Sequence, residues 1–170
     1  YNYPANINEQ ELLEIIDELN HDLDVHGILV QLPLPPGINA EKILHSVSPK
    51  KDVDGFHPYN LGSLLEGRPK FIPCTPNGII KILEYYNIVT SGKHVVIIGR
   101  SNIVGKPMFA LLSQKFKIGN STVTMCHTGT QDISQYTKKA DIIVAAVGVP
   151  EMLDSDMISD GVHIIDVGIN

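Results

Sequence analysis

The clearest chemical signal in the chain is a glycine-spaced turn that follows an unbroken apolar run. In Lys93-His-Val-Val-Ile-Ile-Gly99-Arg-Ser101-Asn-Ile-Val-Gly105-Lys-Pro107 the β-branched stretch has the pattern of a parallel strand buried on both faces, and it runs into what reads as a helix N-terminus. Such a terminus offers unpaired backbone N–H groups and the positive end of a helix dipole to an anion, most simply a nucleotide phosphate. Gly99 permits the tight turn and Gly105 the close packing of helix on strand. Ser101 takes the middle place of the usual G-x-G-x-x-G, and the last spacing is longer by one residue. Arg100 adds a fixed charge and a planar fork suited to phosphate, with a solvated turn residue as its ordinary alternative. An NAD-specific domain places an acid at the end of its second strand for the ribose hydroxyls. Here that place reads Cys126-His127-Thr128, so NADP is expected in place of NAD.

Two polar residues upstream invite chemistry of another kind. Gln31 ends the apolar run Gly27-Ile-Leu-Val-Gln31-Leu32, and the carboxyl ends of parallel strands are where α/β folds bind ligands. Its amide can steer a donor or an acceptor; bonding to neighbouring backbone explains it equally well. Asp54, before Gly55, can accept two parallel N–H bonds from an amidine-like edge such as that of a 2-amino-4-oxo heterocycle. Its ordinary role would be an Asx-turn, the commoner use of an Asp in that place, and Asp52 has the same ordinary role with a weaker chemical case.

Elements that position these residues follow from periodicity. Asn8-Glu-Gln-Glu11 is a capping-box-like start, and Leu12, Leu13, Ile15, Ile16 and Leu19 recur at helical spacing. Residues 27–32 read as a strand ended by prolines, about 40–47 as a short helix, and 48–60 as a loop rich in charge, Gly and Pro. A further helix is expected with Thr75 as N-cap, Pro76 at its first position, and Ile79, Ile80, Ile82 and Leu83 buried. After the glycine turn, apolar runs at 121–126, 140–148 and 161–168 alternate with polar or helical stretches, which implies a parallel sheet. The fold class is therefore α/β: a Rossmann-like, parallel-sheet NADP-binding domain over 91–170 and a smaller α/β substrate lobe over 1–90. The chain begins at Tyr1 and stops at Asn170 directly after its last apolar run. An N-terminal portion of the first lobe and a closing helix of the second are expected to lie outside it.

At 170 residues the chain is long enough to bury a core. A net charge of -6 with scattered basic residues argues against nucleic acid or an anionic membrane as partner. No apolar run approaches a membrane span and no signal peptide opens the chain, so a soluble, cytoplasmic protein is expected. The 2 cysteines, Cys74 and Cys126, lack C-x-x-C spacing, and the 7 histidines form no H-x-x-x-H pair, which leaves no metal site to propose.

Taken together, the segments 27–35, Lys51-Asp-Val-Asp-Gly55, Phe71-Ile-Pro-Cys-Thr-Pro76, Gly99 to Pro107 and Ile165-Asp-Val-Gly-Ile-Asn170 resemble the signature blocks of bifunctional methylenetetrahydrofolate dehydrogenase/cyclohydrolase, in that family's order and across nearly the whole chain. The resemblance implies a homodimer that oxidises 5,10-methylenetetrahydrofolate with NADP and hydrolyses the methenyl product to 10-formyltetrahydrofolate. It implies that Gln31 touches the reacting region and tunes the catalytic base, that Val30 and Leu32 line the same site, and that Asp54 clamps the pterin edge; Gln31 and Asp54 are thus the candidate catalytic residues. Gly99, Arg100 and Ser101 would hold the cofactor phosphates, Thr128 the 2′-phosphate, and Ile169 would pack near the nicotinamide. Cys74, Thr75 and Pro76 would serve structurally.

The chain also departs from that pattern. The family's principal catalytic residue lies in a Tyr-x-x-x-Lys motif upstream of the Gln-bearing strand, and no Tyr here is followed four residues later by Lys; nor does a Pro-Gly-Gly-Val-Gly-Pro block occur. Hydride transfer relies chiefly on holding reactants in register, whereas hydrolysis needs positioned proton transfer. These residues alone are therefore expected to bind NADP weakly and to show little or no cyclohydrolase activity. Two other readings stand beside this one: a dehydrogenase of the shikimate dehydrogenase type, and a noncatalytic nucleotide-binding homologue.

Overall fold

A computed structural model describes residues 1–4 and 6–168. The chain divides into two compact units, Tyr1–Ile72 and Pro73–Asn170.

The first unit is held by helices. Helix α1 (Glu9–His21) starts at Asn8, whose side chain accepts the Glu11 N–H at 2.8 Å, as the capping pattern predicts. Helix α2 (Ala40–Ser46) is capped by Asn39. Glu9 joins the two helices, taking the Lys42 ammonium at 2.6 Å and the Asn39 N–H at 2.8 Å. At the other end of α1, the Asn20 amide donates to Ser46 O and accepts from Ser48 N–H. Ile16, Ile28, Ile43 and Val47 form the core, with Leu12, Leu13, Leu19 and Val30 packed on it. Residues 27–32 do not form the expected strand. They make a single parallel bridge, Ile28 to Asp52, because no second strand among the described residues extends the pairing. The expected loop over 48–60 is also shorter than predicted, since Pro58 opens helix α3 (Pro58–Leu65). His57 is its N-cap and Pro58 occupies the first turn, where a missing N–H costs nothing.

The second unit opens with helix α4 (Cys74–Tyr85), capped by Pro73 rather than Thr75, so Pro76 lies deeper in the first turn. A proline is tolerated there because first-turn N–H groups have no intrahelical partner. Pro76, Ile79, Ile80 and Leu83 are buried as one stripe at helical spacing, while Ile82 falls off that stripe and is 45% exposed, against expectation. Strands β1 (His94–Ile98), β2 (Thr122–Cys126), β3 (Ile142–Ala145) and β4 (His163–Asp166) form the parallel sheet that alternation implied, in the order β2-β1-β3-β4. Helix α5 (Gly105–Ser113) links β1 to β2 and packs on both, and the short α6 (Ser134–Thr137) links β2 to β3. Val95 to Ile98 and Ile142 to Val144 are buried, as central parallel strands require. Val96, Ile98, Cys126, Ala140 and Ile143 make the core of one face. Helix α4, read from sequence as the last element of the first lobe, packs against α5 and is grouped with the sheet. Among the described residues, no helix is long and apolar enough to cross a membrane.

Candidate functional site

The chain runs from β1 to β2 at one edge and then returns past β1 to β3, so the strand order reverses between β1 and β3. Ligands of open α/β sheets bind outside the carboxyl ends at such a switch point. Gly99 leaves β1 there with φ +123, and a Cβ on it would lie 2.4 Å from Ala146 O at the end of β3. A Cβ on Gly105 would lie 2.3 Å from Gly99 O. At each glycine a backbone oxygen thus occupies the space a side chain would need, and the turn can lie close against the sheet. Ser101 Oγ accepts from Val104 N–H at 3.0 Å and from Gly105 N–H at 3.4 Å, which fixes the start of α5 and leaves the hydroxyl hydrogen to donate. Arg100 is exposed. These residues fit a dinucleotide phosphate: close backbone approach, an O–H donor, an unburied guanidinium and the N-terminus of a nine-residue helix.

At the end of β2, Cys126 is buried and its thiol is pushed up by that burial. His127 and Thr130 close a tight turn around the exposed Thr128: Thr130 Oγ1 accepts the His127 N–H and His127 Nδ1 accepts the Gly129 N–H. This turn borders a recess of about 490 Å³ lined by Cys126, His127, Thr130 and Asp132 among others. Asp132 is the first acid after the strand, yet Ser134 and Gln135 already donate to it and hold it below the usual carboxylate range. A larger recess of about 580 Å³ opens at the amino ends of β1, β3 and β4, beside the Lys93–Asp141 ion pair. It lies at the end of the sheet away from the glycine turn, where α/β folds do not bind their ligands. Ile169 lies outside the described residues. Among the described residues no cluster of His, Cys, Asp and Glu is placed to hold a metal ion.

In the first unit, the bridge between Ile28 and Asp52 is parallel, so Val30, Gln31 and Leu32 leave it in the same direction as Asp54. Gly27 makes this approach possible, since a Cβ there would lie 2.5 Å from Val53 Cγ1. Gln31 is exposed and its Nε2 donates to Leu32 O at 3.0 Å, the bond to neighbouring backbone that the sequence left open. Val30 and Leu32 are half-buried, Val30 against the core.

Asp54 is half-buried and makes no Asx-turn: no hydrogen bond reaches its carboxylate among the described residues. Burial, and then the charge of Asp52, raise its proton affinity above the ordinary aspartate value. Asp52 is the opposite case. It is 5% exposed, and its carboxylate accepts from Phe56 N–H (3.2 Å), His57 N–H (2.9 Å) and Asn60 Nδ2 (2.7 Å). Asn60, 1% exposed, also donates to Pro49 O, while its Oδ1 is buried without a partner. An unpaired buried acceptor of that kind costs about 1–3 kcal/mol, which the charge-assisted bond to Asp52 offsets. Lys51 turns away and caps α1, donating to Leu19 O at 2.8 Å and Asp22 O at 2.6 Å. Sequence reasoning missed this network. The His57-Pro58 pair, an N-cap followed by proline, was the signal that could have revealed α3 and with it Asn60.

Comparison with known proteins gives the following. Residues 1–54 match the model of the tetrahydrofolate dehydrogenase/cyclohydrolase catalytic domain, and residues 73–170 that of the tetrahydrofolate dehydrogenase/cyclohydrolase NAD(P)-binding domain. The bifunctional protein FolD 2 of Geobacter sulfurreducens is 53% identical over 98% of this chain and 57% of its own length. The crystal structure of the bifunctional dehydrogenase/cyclohydrolase FolD from Campylobacter jejuni aligns over 100% of this chain and 59% of its own, with a TM-score of 0.92 and 51% identity. The corresponding enzyme of Trypanosoma brucei, solved with NADP and an inhibitor, aligns over 97% of this chain and 56% of its own, with a TM-score of 0.86 and 36% identity. The chain therefore spans a little over half the length of the relatives it matches.

Proposed function

Because this chain belongs to the tetrahydrofolate dehydrogenase/cyclohydrolase family, we propose that the protein oxidises 5,10-methylenetetrahydrofolate to the 5,10-methenyl compound with NADP and hydrolyses that product to 10-formyltetrahydrofolate. The observation that carries this reading is Asp54, a half-buried carboxylate whose two oxygens take no donor from the described residues. A carboxylate so placed suits the paired N–H groups of a 2-amino-4-oxo pterin edge. Gln31, leaving the same bridge in the same direction, offers its free amide oxygen to the reacting end of the substrate, and Val30 and Leu32 supply apolar contact.

In the second unit Gly99, Arg100 and Ser101 hold the phosphates of the dinucleotide, with Thr128 at the 2′-phosphate. Asp132, the carboxylate nearest the end of β2 among the acids that follow it, is engaged within its own turn by Ser134 and Gln135, which supports NADP over NAD. When bound, NADP supplies the hydride acceptor. The residues of this chain orient and exclude; the proton transfer of the hydrolytic step needs a base of the Tyr-x-x-x-Lys kind, which this sequence does not contain. We place the protein in the cytoplasm as a homodimer. The family match favours folate chemistry over the shikimate dehydrogenase type.

The test is an assay of the full-length protein with methylenetetrahydrofolate and either NADP or NAD, following cofactor reduction and the methenyl chromophore together. Reduction with NADP and a transient chromophore are expected. Binding of NADP without reduction would leave the noncatalytic homologue standing. Asp54→Asn should raise the folate KM roughly 100-fold, about 3 kcal/mol, and leave NADP affinity unchanged.

A further inference from the structure

The N–H donors around the 52–60 turn are distributed unequally between its two acids. An Asx-turn at Asp54 would use the N–H of Phe56, two residues on. That group instead points to Asp52 Oδ1 at 3.2 Å, while the His57 N–H and the Asn60 amide go to Asp52 Oδ2, and the Gly55 N–H to the Asp52 carbonyl. We propose that Asp52 is a positioning residue for the substrate carboxylate: by taking the N–H groups of Phe56, His57 and Asn60 it leaves both oxygens of Asp54 free for the ligand. This rests on the reading of Asp54 as the group that holds the folate edge.

The surroundings make the division of labour stable. Asn60 cannot turn its amide over, because its oxygen would then face the Asp52 carboxylate and the Pro49 carbonyl. The neighbouring cation, Lys51, is committed to the carbonyls of Leu19 and Asp22, so no ammonium neutralises Asp52. His57 adds no counter-charge: burial favours its neutral form, and Nδ1 accepts the Tyr59 N–H. The charge of Asp52 therefore acts on Asp54 and, with burial, keeps its proton affinity high.

Asp52→Asn in the full-length enzyme tests this. The variant frees the Phe56 N–H for Asp54 and removes the adjacent charge. The expected result is a folate KM raised about tenfold with kcat little changed, and an acid limb of kcat/KM moved to lower pH. A loosened turn alone would raise KM without moving that limb, and such a result overturns the proposal. Should Asp52→Asn fail to fold, NMR on Asp54→Asn decides. The Phe56 and His57 amides should keep their protection from hydrogen exchange there, since Asp52 is their acceptor, and loss of that protection rejects the assignment. The two ideas fail separately. An Asp54→Asn enzyme with unchanged folate KM sinks the folate reading itself, whereas a raised KM there with an unmoved acid limb in Asp52→Asn sinks only the role of Asp52.

Discussion

Two turns hold the residues proposed to carry the chemistry of this protein, and they are stiffened by opposite means. The turn from β1 to α5 is rigid because side chains are missing: Gly99 and Gly105 lie so close to backbone oxygens that a Cβ has no room at either. The turn from Asp52 to Asn60 is rigid because a side chain has been buried in it, with one carboxylate gathering the surrounding N–H groups. The difference follows from what each turn is proposed to bind. An anion is held by outward-facing donors, and with the first N–H groups of α5 taken by Ser101, the Ser101 hydroxyl and the Arg100 guanidinium are the side-chain donors left to meet it. A donor edge is held by a carboxylate, so nearby backbone N–H groups must be occupied elsewhere. Stiffness from absence and stiffness from a buried acid should respond differently to mutation.

The largest effect is expected at the glycine turn. In Gly105→Ala the new Cβ would meet Gly99 O at 2.3 Å and Arg100 Cα at 2.9 Å, both backbone atoms that cannot rotate away. We expect a loss of about 3 kcal/mol in urea unfolding together with weakened NADP binding. An unchanged unfolding midpoint would break the comparison at its root.

At the acidic turn the sign should reverse. Asp54 binds its proton more tightly in the folded than in the unfolded chain, so its ionised form opposes folding fully above the raised pKa; that opposition fades as pH falls through the raised pKa and is gone below the ordinary aspartate value. Asp54→Asn should therefore unfold at a slightly higher temperature at neutral pH while binding folate worse, and the gain should vanish in acid. Thermal melts across pH read this directly, and a lower melting temperature at neutral pH would count against it.

Smallest of all is the effect expected away from both turns. The Lys93–Asp141 pair at the amino end of the sheet is 2.9 Å long but some two-fifths exposed on each side. Asp141 is held below its usual range by the His94 N–H and the Lys93 ammonium, so its contribution is present above the ordinary aspartate pKa and lost as pH falls through the depressed one. Lys93→Ala should cost at most about 0.5 kcal/mol in denaturant unfolding, and less in high salt. A larger cost would mean that this end of the sheet is not the neutral background against which the two turns are compared.

The second unit was legible in the sequence to a degree that the first was not. Strands β1 to β4, the parallel sheet and the glycine turn all follow from local apolar runs and fixed glycine spacing, most clearly at the central β1 and β3, whose burial on both faces is written into consecutive residues. The start of α1 at Asn8 was legible for the same reason, a cap being a contact within one turn. That residues 27–32 form no strand was not legible, because pairing depends on a partner elsewhere in the chain. The start of α4 at Pro73 was missed because Thr75 offered an equally good local cap.

What the sequence determined by itself was the fold class, the sheet, the glycine turn and, through its signature blocks, the family. The tertiary structure decided which of two acids a residue apart is held by the protein and which is left open. Asp52 and Asp54 carry the same functional group beside similar neighbours. The parallel bridge at Ile28 and the packing of α3 bury the first among N–H donors and leave the second without any. A carboxylate's role is set by how many donors reach it and how much water it keeps, and both are properties of position in space that residue type does not record.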